Sequence, residues 1–598
     1  MNNLSEMKKI FILLISLFTF TITHGQIPTY TWAYSIGDVS QEYLDALVTD
    51  NENNVIIGGQ MYSTTDMDPT EFSEILYQIG QQDAFIEKMA ADGSYVLWGI
   101  NFGGPNYDGV VKLAVDDSDN IYAIGYFQLT ADFDPNIVDV HNLTSNGGYD
   151  MFLAKYNKDG EFVWAHGMGD VEDDWINNIV IDEEQNIYVT GQFIGTVDFD
   201  GTEGVLEINS TLDKYDGFLA KYNTDGEISW VFRMGGFYED IANEVAVDKE
   251  GNIIVTGTFQ GTADFDGTFL TAAGGTMIGW PEEGDAYIAK YNSDADLIWV
   301  KGIRGDAEFN GGYSNSVISL ALDQDDNIYV TGLIYGEGDF DVNDGEYVIE
   351  TFDSYDSYFA KYSSDGNLIW AHVIAPKVFG FNLDMVIDAN NDIYLTGDFN
   401  YSTGIPYEAD FDVSDDNIFE LQAVGEKDVY IAKYDSSSAL LWAYSIGGSG
   451  WEFSTAISLD NNYDLCVGGW FYSTDDFDAN PDSNFIWLPY TNPLYGNNIW
   501  VGKYHQDSIE IPVTVENSYF ENAFFLYPNP AHENFTINFN SDLKDAMIEI
   551  YNAMGEKIYS DSINDKEKTV STITFSAGIY YVIIVAGETC YKKKLIIE

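Results

Sequence analysis

The chain has 598 residues, of which 45% are hydrophobic and 15% aromatic, so it is long and apolar enough to bury a core. Its 98 acidic residues outnumber 25 basic ones and give a formal charge of −73. This charge argues against nucleic acid as a partner and disfavours direct binding to anionic lipid, because phosphate groups need basic side chains. Two interpretations stay open: a surface that binds divalent cations, or one that keeps an exported protein soluble.

Residues 1–25 have the features of a secretory signal peptide. Lys8 and Lys9 precede an apolar run over residues 10–20, which is too short to cross a bilayer. We predict cleavage after Gly25. The later sequence contains no segment apolar enough to suggest a membrane span.

Four residue types then recur in a fixed order at a period of about 70 residues, the length scale of a repeat architecture. A tryptophan closes one strand-like phrase in each unit, at Trp32, Trp98, Trp164, Trp230, Trp299, Trp370 and Trp442. An aspartate ends the next apolar run, at Asp50, Asp116, Asp182, Asp248, Asp323, Asp388 and Asp460. A glycine follows nine residues later, and a lysine lies in a third run, at Lys88, Lys155, Lys221, Lys290, Lys361, Lys433 and Lys503.

Each unit therefore contains four short strands separated by Gly, Asn and Asp turns, without helical periodicity. Seven such units predict an all-β chain with a seven-bladed β-propeller over residues 26–506; a solenoid of the same sheets is the alternative. The seventh unit stops after its third strand, whereas residues 30–34 form an orphan strand of the fourth type. We expect this orphan strand to complete the last blade and close the ring.

Several phrases resemble the SBBP-type β-propeller repeat of bacterial exported proteins. They are Asp-Gly-Phe-Leu-Ala-Lys-Tyr at 216–222, Ala-Val-Asp at 246–248 and Gly-Asn-Ile-Ile-Val-Thr-Gly at 251–257. The resemblance covers about residues 27–506. It implies the propeller fold and no particular activity.

An irregular linker over residues 507–522 separates the repeats from a tail over residues 523–598. The tail contains Leu-Tyr-Pro-Asn-Pro at 526–530, Ile-Tyr-Asn-Ala-Met-Gly-Glu-Lys at 550–557 and Ala-Gly-Ile-Tyr-Tyr at 577–581. These phrases resemble the type A C-terminal sorting domain of type IX secretion. The resemblance implies a small Ig-like β-sandwich, the type IX machinery as a partner, and a secreted or cell-surface location; an ordinary Ig-like binding domain is the alternative.

The length changes between units fall on one face of the predicted propeller, in units four to seven. Loops on a rigid scaffold are frequent binding sites, although neutral drift would give the same pattern. Aromatic residues in these loops could stack on sugars or anchor a protein ligand, or form small cores under their own loops. The candidate ligand-binding residues are Trp280, Tyr313, Tyr401, Tyr407, Trp487, Tyr490 and Tyr495.

The same face carries an acidic motif, Asp-Phe-Asp, or Asp-Met-Asp in the first unit. In an extended segment the two carboxylates share one side and the middle residue points to the core. Such pairs suit Ca²⁺, and turn capping by aspartate is the alternative. The candidate metal ligands are Asp66, Asp68, Asp132, Asp134, Asp198, Asp200, Asp264, Asp266, Asp339, Asp341, Asp410, Asp412, Asp476 and Asp478. Acids eight residues before the strand-1 aspartate could complete a cage or cap the strand: Glu42, Asp108, Asp174, Asp240 and Glu452.

No His/Cys cluster with metal spacing, nucleophile elbow or phosphate loop stands out in the sequence, so we assign no catalytic residues. The sequence favours a non-enzymatic surface or secreted protein that binds a glycan or a protein. A glycoside hydrolase or lyase, and a structural surface scaffold, are the alternatives.

Overall fold

The chain divides into two compact units, residues 1–506 and 507–598. The computed structural model describes residues 28–506 and 524–597, except 38–40, 70–72, 137, 203, 213, 273–283, 306–314, 344, 375–382, 401–407, 415–416, 424–425, 449, 473–474, 477–486, 489–496, 528–533, 540–545, 553–556, 564–566, 573–574, 576–577 and 587–588. These residues form strands, turns and loops, and none of them is helical. The all-β expectation is confirmed.

The first unit is a seven-bladed propeller whose blades are four-stranded antiparallel sheets. Blade 1 has strands Glu42–Thr49, Val55–Met61, Asp83–Met89 and Val96–Phe102; blade 2 has Gly109–Val115, Ile121–Phe127, Asp150–Tyr156 and Phe162–Met168; blade 3 has Trp175–Ile181, Ile187–Phe193, Asp216–Tyr222 and Ile228–Gly236. Blade 4 has Ile241–Val247, Ile253–Gln260, Gly284–Tyr291 and Leu297–Ile303; blade 5 has Asn315–Leu322, Ile328–Asp339, Val348–Tyr362 and Leu368–Ile374; blade 6 has Asp384–Ile387, Ile393–Asn400, Lys427–Tyr434 and Leu440–Gly448. We number the strands 1 to 4 within each blade.

Blade 7 is completed from the other end of the chain. Its strands 1 to 3 are Glu452–Leu459, Leu465–Phe471 and Asn498–His505, and its strand 4 is Thr29–Ile36. Thr29 faces His505 and Ile36 faces Ile499 in an antiparallel register. The predicted closure is confirmed, because the strand Thr29–Ile36 pairs along the edge of Asn498–His505 that would otherwise be open.

Short hairpins extend the connection between strands 2 and 3 in each blade. The paired segments are Thr65–Asp66 with Ile75–Leu76, Thr130–Asp132 with Asn142–Thr144, Thr196–Asp198 with Glu207–Asn209, Thr262–Phe265 with Thr268–Thr271, Glu408–Asp410 with Glu420–Gln422, and Asp475–Asp476 with Trp487–Leu488. In blade 5 the long strands 2 and 3 themselves continue into the hairpin.

In six of the seven blades the repeated aspartate and lysine form a buried ion pair. The described pairs are Asp50–Lys88 at 2.7 Å, Asp116–Lys155 at 3.8 Å, Asp248–Lys290 at 2.9 Å, Asp323–Lys361 at 3.1 Å, Asp388–Lys433 at 3.5 Å and Asp460–Lys503 at 2.7 Å. The lysine also reaches the next blade: Lys88 donates to the Lys158 carbonyl at 3.2 Å. The repeat therefore encodes contacts within and between blades.

The second unit contains two antiparallel sheets. One has strands Phe524–Tyr527, Asn534–Phe539 and Glu567–Ser571; the other has Lys557–Ile563, Ala546–Asn552, Gly578–Ala586 and Thr589–Ile597. Phe535 and Ile537 of the first sheet share a buried cluster with Ile548 and Val582 of the second. Two sheets around one apolar core agree with the expected layered β-structure; the Ig-like arrangement stays a prediction.

Candidate functional site

The acidic motifs lie on the hairpins between strands 2 and 3. Their middle residues are buried, as the alternation predicted, at Met67, Phe133, Phe199, Phe265, Phe340 and Phe411. In the seventh copy, only the main chain of Asp476 belongs to the described residues, and Asp478 lies outside them. The hairpins are thus anchored in the core through the middle residue of the motif.

The first carboxylate of the motif accepts main-chain N–H groups. Asp198 Oδ1 accepts from Asp200 at 3.0 Å and from Leu206, across the hairpin, at 2.8 Å. The second carboxylate caps the following turn, since Asp200 Oδ1 accepts from the Thr202 N–H at 2.9 Å. The same pair of contacts to the first aspartate recurs at Asp132, Asp339 and Asp410. These contacts agree with the turn-capping interpretation.

The calcium sites of the motif remain a prediction. Among the residues that the structure describes, no group of three carboxylate, imidazole or thiolate side chains stands in a metal-coordinating arrangement. A carboxylate that already accepts two N–H bonds has fewer lone pairs left for a cation.

The aromatic candidates fall almost entirely outside the described residues. This applies to Trp280, Tyr313, Tyr401, Tyr407, Tyr490 and Tyr495. The main chain of Trp487 is described and pairs with Asp476 in the blade 7 hairpin. Trp487 is therefore on the hairpin side of blade 7, as its position in the repeat predicted.

A second set of acids lies at the blade junctions, and the sequence pattern described above covers only half of them. Asp108, Asp174 and Asp240 precede strand 1 of their blades and are at most 2% exposed. Each approaches the aspartate that begins strand 3 of the preceding blade, at Asp83, Asp150 and Asp216 respectively. A repeated acid five residues before the strand-3 lysine is the sequence signal that could have identified the second group.

Glycine makes this convergence of carboxyls possible. A Cβ at Gly235 would lie 2.3 Å from an Asp216 oxygen and 2.9 Å from an Asp240 oxygen. Asp240 Oδ2 accepts the Gly236 N–H at 2.6 Å, and Oδ1 accepts the Gln260 N–H at 3.1 Å. The junction acids therefore cap the entry to strand 1. At the closing junction, Asn498 replaces one of the two acids and lies beside Glu42 at Gly37.

The pKa values of the junction acids are raised, chiefly because burial disfavours the carboxylate. The pKa is about 8 for Asp240 and about 7 for Asp174 and Asp108, and a second carboxyl nearby adds to the effect of burial. For Asp240, the Gly236 and Gln260 N–H groups and Arg233 oppose this increase only in part. Two buried carboxyls this close share one proton more readily than they both ionise.

We expect these acids to make the propeller less stable as the pH rises. The pKa of Asp240 is about 8 in the folded chain and about 4 in the unfolded chain. The folded state therefore holds this proton more tightly, and the resulting stabilisation is complete below pH ~4 and is lost as the pH rises to the folded pKa. Each pKa unit corresponds to about 1.4 kcal/mol of the free energy of unfolding.

Thermal unfolding of the full chain between pH 5 and 8.5 should show a Tm that falls as the pH rises, and Asp240→Asn should flatten this dependence. The exposed Asp225→Asn is the control; an equal slope in wild type and Asp240→Asn would contradict the prediction.

A polar cluster at the propeller axis was missed entirely by sequence reasoning. Lys112 of blade 2 interacts electrostatically with Asp384 of blade 6, Glu244 of blade 4 and Asp45 of blade 1. Blades so far apart in the ring can meet only around the central channel, which their innermost strands line. Burial opposes the charge of Lys112, but the three carboxylates outweigh it and raise the lysine pKa.

The cluster carries more negative than positive groups. Burial raises the pKa of Asp45 and Glu244 to about 7, partly offset by Lys112. Asn178 donates to Glu244 at 2.5 Å, and Ser319 donates to Asp384 at 3.0 Å. A weak signal exists in the sequence, because the residue four before the strand-1 aspartate is polar or charged in five of the seven units, at Lys112, Asn178, Glu244, Ser319 and Asp384.

Comparison with known families settles the nature of the tail. Residues 525–598 match the family described as "Secretion system C-terminal sorting domain". The tail is a secretion sorting domain. The sorting domain implies the type IX secretion machinery as a partner and a secreted or cell-surface location for the chain. In the described part of the chain, no helix is long and apolar enough to span a membrane.

The remaining similarities are distant. The chain is 23% identical over 581 residues to an uncharacterised WD repeat-containing protein of Acanthamoeba polyphaga mimivirus, covering 83% of this chain and 40% of that protein. It is 24% identical over 158 residues to the regulatory protein FlaEY of Caulobacter vibrioides, covering 26% of this chain and 16% of that protein. The chain therefore spans less than half the length of either curated relative.

Solved structures give weak matches as well. PorZ, a surface component of the type IX secretion system of Porphyromonas gingivalis, is 11% identical with a TM-score of 0.18, covering 93% of this chain and 81% of that one. A europium-containing methanol dehydrogenase is 10% identical with a TM-score of 0.34, covering 80% of this chain and 95% of that one. At such TM-scores, neither structure bears on the function of this chain.

Proposed function

We propose that this secreted or cell-surface propeller is a non-enzymatic binding protein that recognises a glycan or a protein through its hairpin face, and that its blades are repeats of the SBBP type. We define the hairpin face as the side that carries the strand 2–3 hairpins and the strand 4–1 junctions. This proposal is supported by the difference between the two faces of the propeller: the turns on one face are constant, whereas the connections on the hairpin face vary.

The turns between strands 1 and 2 are nearly identical from blade to blade. Asp50 accepts the Asn54 N–H at 2.8 Å, and Asp248 accepts the Asn252 N–H at 2.8 Å. The hairpin face instead varies: the blade 4 hairpin turns between Phe265 and Thr268, whereas in blade 7 ten residues separate Asp476 from Trp487. A constant scaffold with one variable face is the usual arrangement of binding proteins.

The aromatic residues in the variable connections between strands 2 and 3 are the proposed contacts. The test is binding of the full chain to a glycan array and to envelope proteins of the producing cell, followed by affinity measurements. Trp280→Ala and Trp487→Ala should each weaken binding by about three- to tenfold, since an aromatic contact is worth about 0.5–1.5 kcal/mol.

Tyr95 provides the matched control, because it is exposed in the strand 3–4 turn on the opposite face. Tyr95→Ala should leave binding unchanged. Equal losses for Tyr95→Ala and the two tryptophan variants would reject the hairpin face. Absence of binding to every glycan would reject the glycan ligand and leave the protein ligand to be tested with the envelope fraction.

A further inference from the structure

Blade 1 contains a buried carboxyl that the other six blades lack. Glu87 lies in strand 3 and is 0% exposed, and neither of its carboxyl oxygens has a hydrogen-bond partner among the described residues. The equivalent residue, directly before the repeated lysine, is small in every other blade: Ala154, Ala220, Ala289, Ala360, Ala432 and Gly502. An unpartnered buried carboxyl is costly, so its presence requires an explanation.

The position paired with Glu87 also departs from the repeat in blade 1, and this change makes room for a second carboxyl. Gly99 faces Glu87 across strands 3 and 4, where other blades place Ala165, Val231, Val300, Ala371, Ala443 and Ala33. The missing side chain leaves room for Glu74, whose Cγ would lie 3.3 Å from a Cβ at Gly99. The Glu74 side chain thus lies beside strand 4 at Gly99, the residue that pairs with Glu87.

Blade 1 also lacks a hydrogen-bond donor that four other blades place here, and a second one that blades 2 and 5 place here. Met89 replaces a tyrosine whose hydroxyl, in blades 2, 3, 5 and 6, donates to the carbonyl of the middle motif residue, as Tyr156 does to Phe133 at 2.9 Å. Glu74 occupies the position of His141 and Tyr347, which bond the Ala165 and Ala371 carbonyls at 3.3 and 3.2 Å. Blade 1 therefore has carboxyl acceptors at positions where several of the other blades have donors.

The motif carboxylates of blade 1 complete the surroundings. Asp66 is engaged as a turn cap, because its Oδ1 accepts the Glu74 N–H at 2.8 Å and its Oδ2 accepts the Ser73 hydroxyl at 2.8 Å. Asp68 is 8% exposed. Burial, followed by the charges of Asp68, Glu74 and Asp66, raises the pKa of Glu87 well above its usual range. A positive charge at this place would compensate the unpartnered Glu87 carboxyl and the carboxylates around it.

We propose that blade 1 binds one calcium ion through the carboxylates of Glu74, Glu87 and Asp68. Three carboxylates, together with the Met67 carbonyl that lacks the tyrosine donor, form a flexible set of oxygen ligands of the kind that Ca²⁺ prefers over Mg²⁺. The side chains must turn toward a common point on binding, since they do not form a coordinating group as placed. This site is single and belongs to blade 1, unlike the seven equivalent sites expected from the motif, and it does not depend on the ligand of the hairpin face.

The test is calorimetric titration of the full chain, stripped with EDTA and desalted, with calcium chloride up to about 1 mM, the affinity range of extracellular calcium modules. Wild type should bind one ion per chain and gain thermal stability. Glu87→Ala, which restores the residue of five other blades and so should fold, and Glu87→Gln, which mimics a protonated carboxyl, should both lose this site and the calcium-dependent rise in Tm.

Asp68→Asn should weaken binding, whereas Asp200→Asn, the same change in blade 3, should leave it unaltered. The proposal is overturned if wild type takes up no calcium, because Glu87 is then simply a protonated carboxyl. It is also overturned if Glu87→Ala keeps the wild-type stoichiometry, or if about seven ions bind irrespective of Glu87, as the repeated motif alone would give.

Discussion

Deletion of the strand Thr29–Ile36 is expected to abolish the cooperative unfolding of the propeller. Trp32 and Ile36 are 5% and 1% exposed in the closed ring. Burial of each side chain contributes about 1.5–3 kcal/mol, so the two together contribute about 3–6 kcal/mol, a large fraction of the roughly 5–15 kcal/mol that stabilises a typical domain. Without this strand, Asn498–His505 becomes an open edge that favours aggregation. Circular dichroism and size-exclusion chromatography of the full-length and deleted chains should show these losses.

A synthetic peptide of residues 28–37 provides the control for this deletion. Added to the deleted chain, it should restore a monomeric species and a thermal transition, whereas the same peptide with Trp32→Ala should do so poorly. Loss of the Trp32 ring removes about 3–5 kcal/mol of packing, and also the bond from its Nε1 to the Ala91 carbonyl in blade 1. A deleted chain that unfolds like the intact one would show that closure does not require this strand.

Truncation of one partner of the buried Asp50–Lys88 pair should lower the free energy of unfolding by about 3–5 kcal/mol. The side chains are 1% and 6% exposed at a separation of 2.7 Å. Burial raises the pKa of Asp50, but Lys88 and Asn54 outweigh this effect and hold it below its usual range, so the carboxylate is charged at neutral pH. Asp50→Ala leaves the Lys88 ammonium buried without its counter-charge.

A double-mutant cycle measures this interaction by urea denaturation. Lys88→Met combined with Asp50→Leu should be far closer to wild type than either single variant, because no buried charge remains unpaired. The exposed pair Lys214–Glu239, at 3.7 Å, is the matched comparison and should contribute at most about 1 kcal/mol. Additive single and double effects at Asp50 and Lys88 would contradict the expected coupling.

The sequence was sufficient for the scaffold because each blade repeats the same local signals. The strand-1 aspartate, the glycine nine residues later and the strand-3 lysine recur with their turns, so strand number and ring closure followed directly. The sorting domain was also recognisable, since its phrases lie close together in the chain. Even the burial of Phe133 and its equivalents followed from simple alternation.

The axial cluster could not be predicted because its members come from four blades. Strand 1 also contains a register shift, between Leu44 and Ala46 in blade 1 and between Val110 and Lys112 in blade 2. Such a bulge breaks the period-two alternation, so the faces of Asp45 and Lys112 cannot be read from the pattern. The departures of blade 1 at Glu87, Gly99 and Met89 were visible in the sequence, but only the strand pairing shows that they meet.

The hydrogen bond between Thr29 and His505 joins residues 476 positions apart. Thr29 is synthesised long before His505. The strand Thr29–Ile36 therefore cannot pair with strand 3 of blade 7 until the six other blades have been synthesised. Contacts between such distant residues form slowly, because the loop they close is costly in entropy. The nascent chain therefore stays without its final strand pairing until the last strand of the propeller has been made, and the ring can close only after synthesis has passed His505.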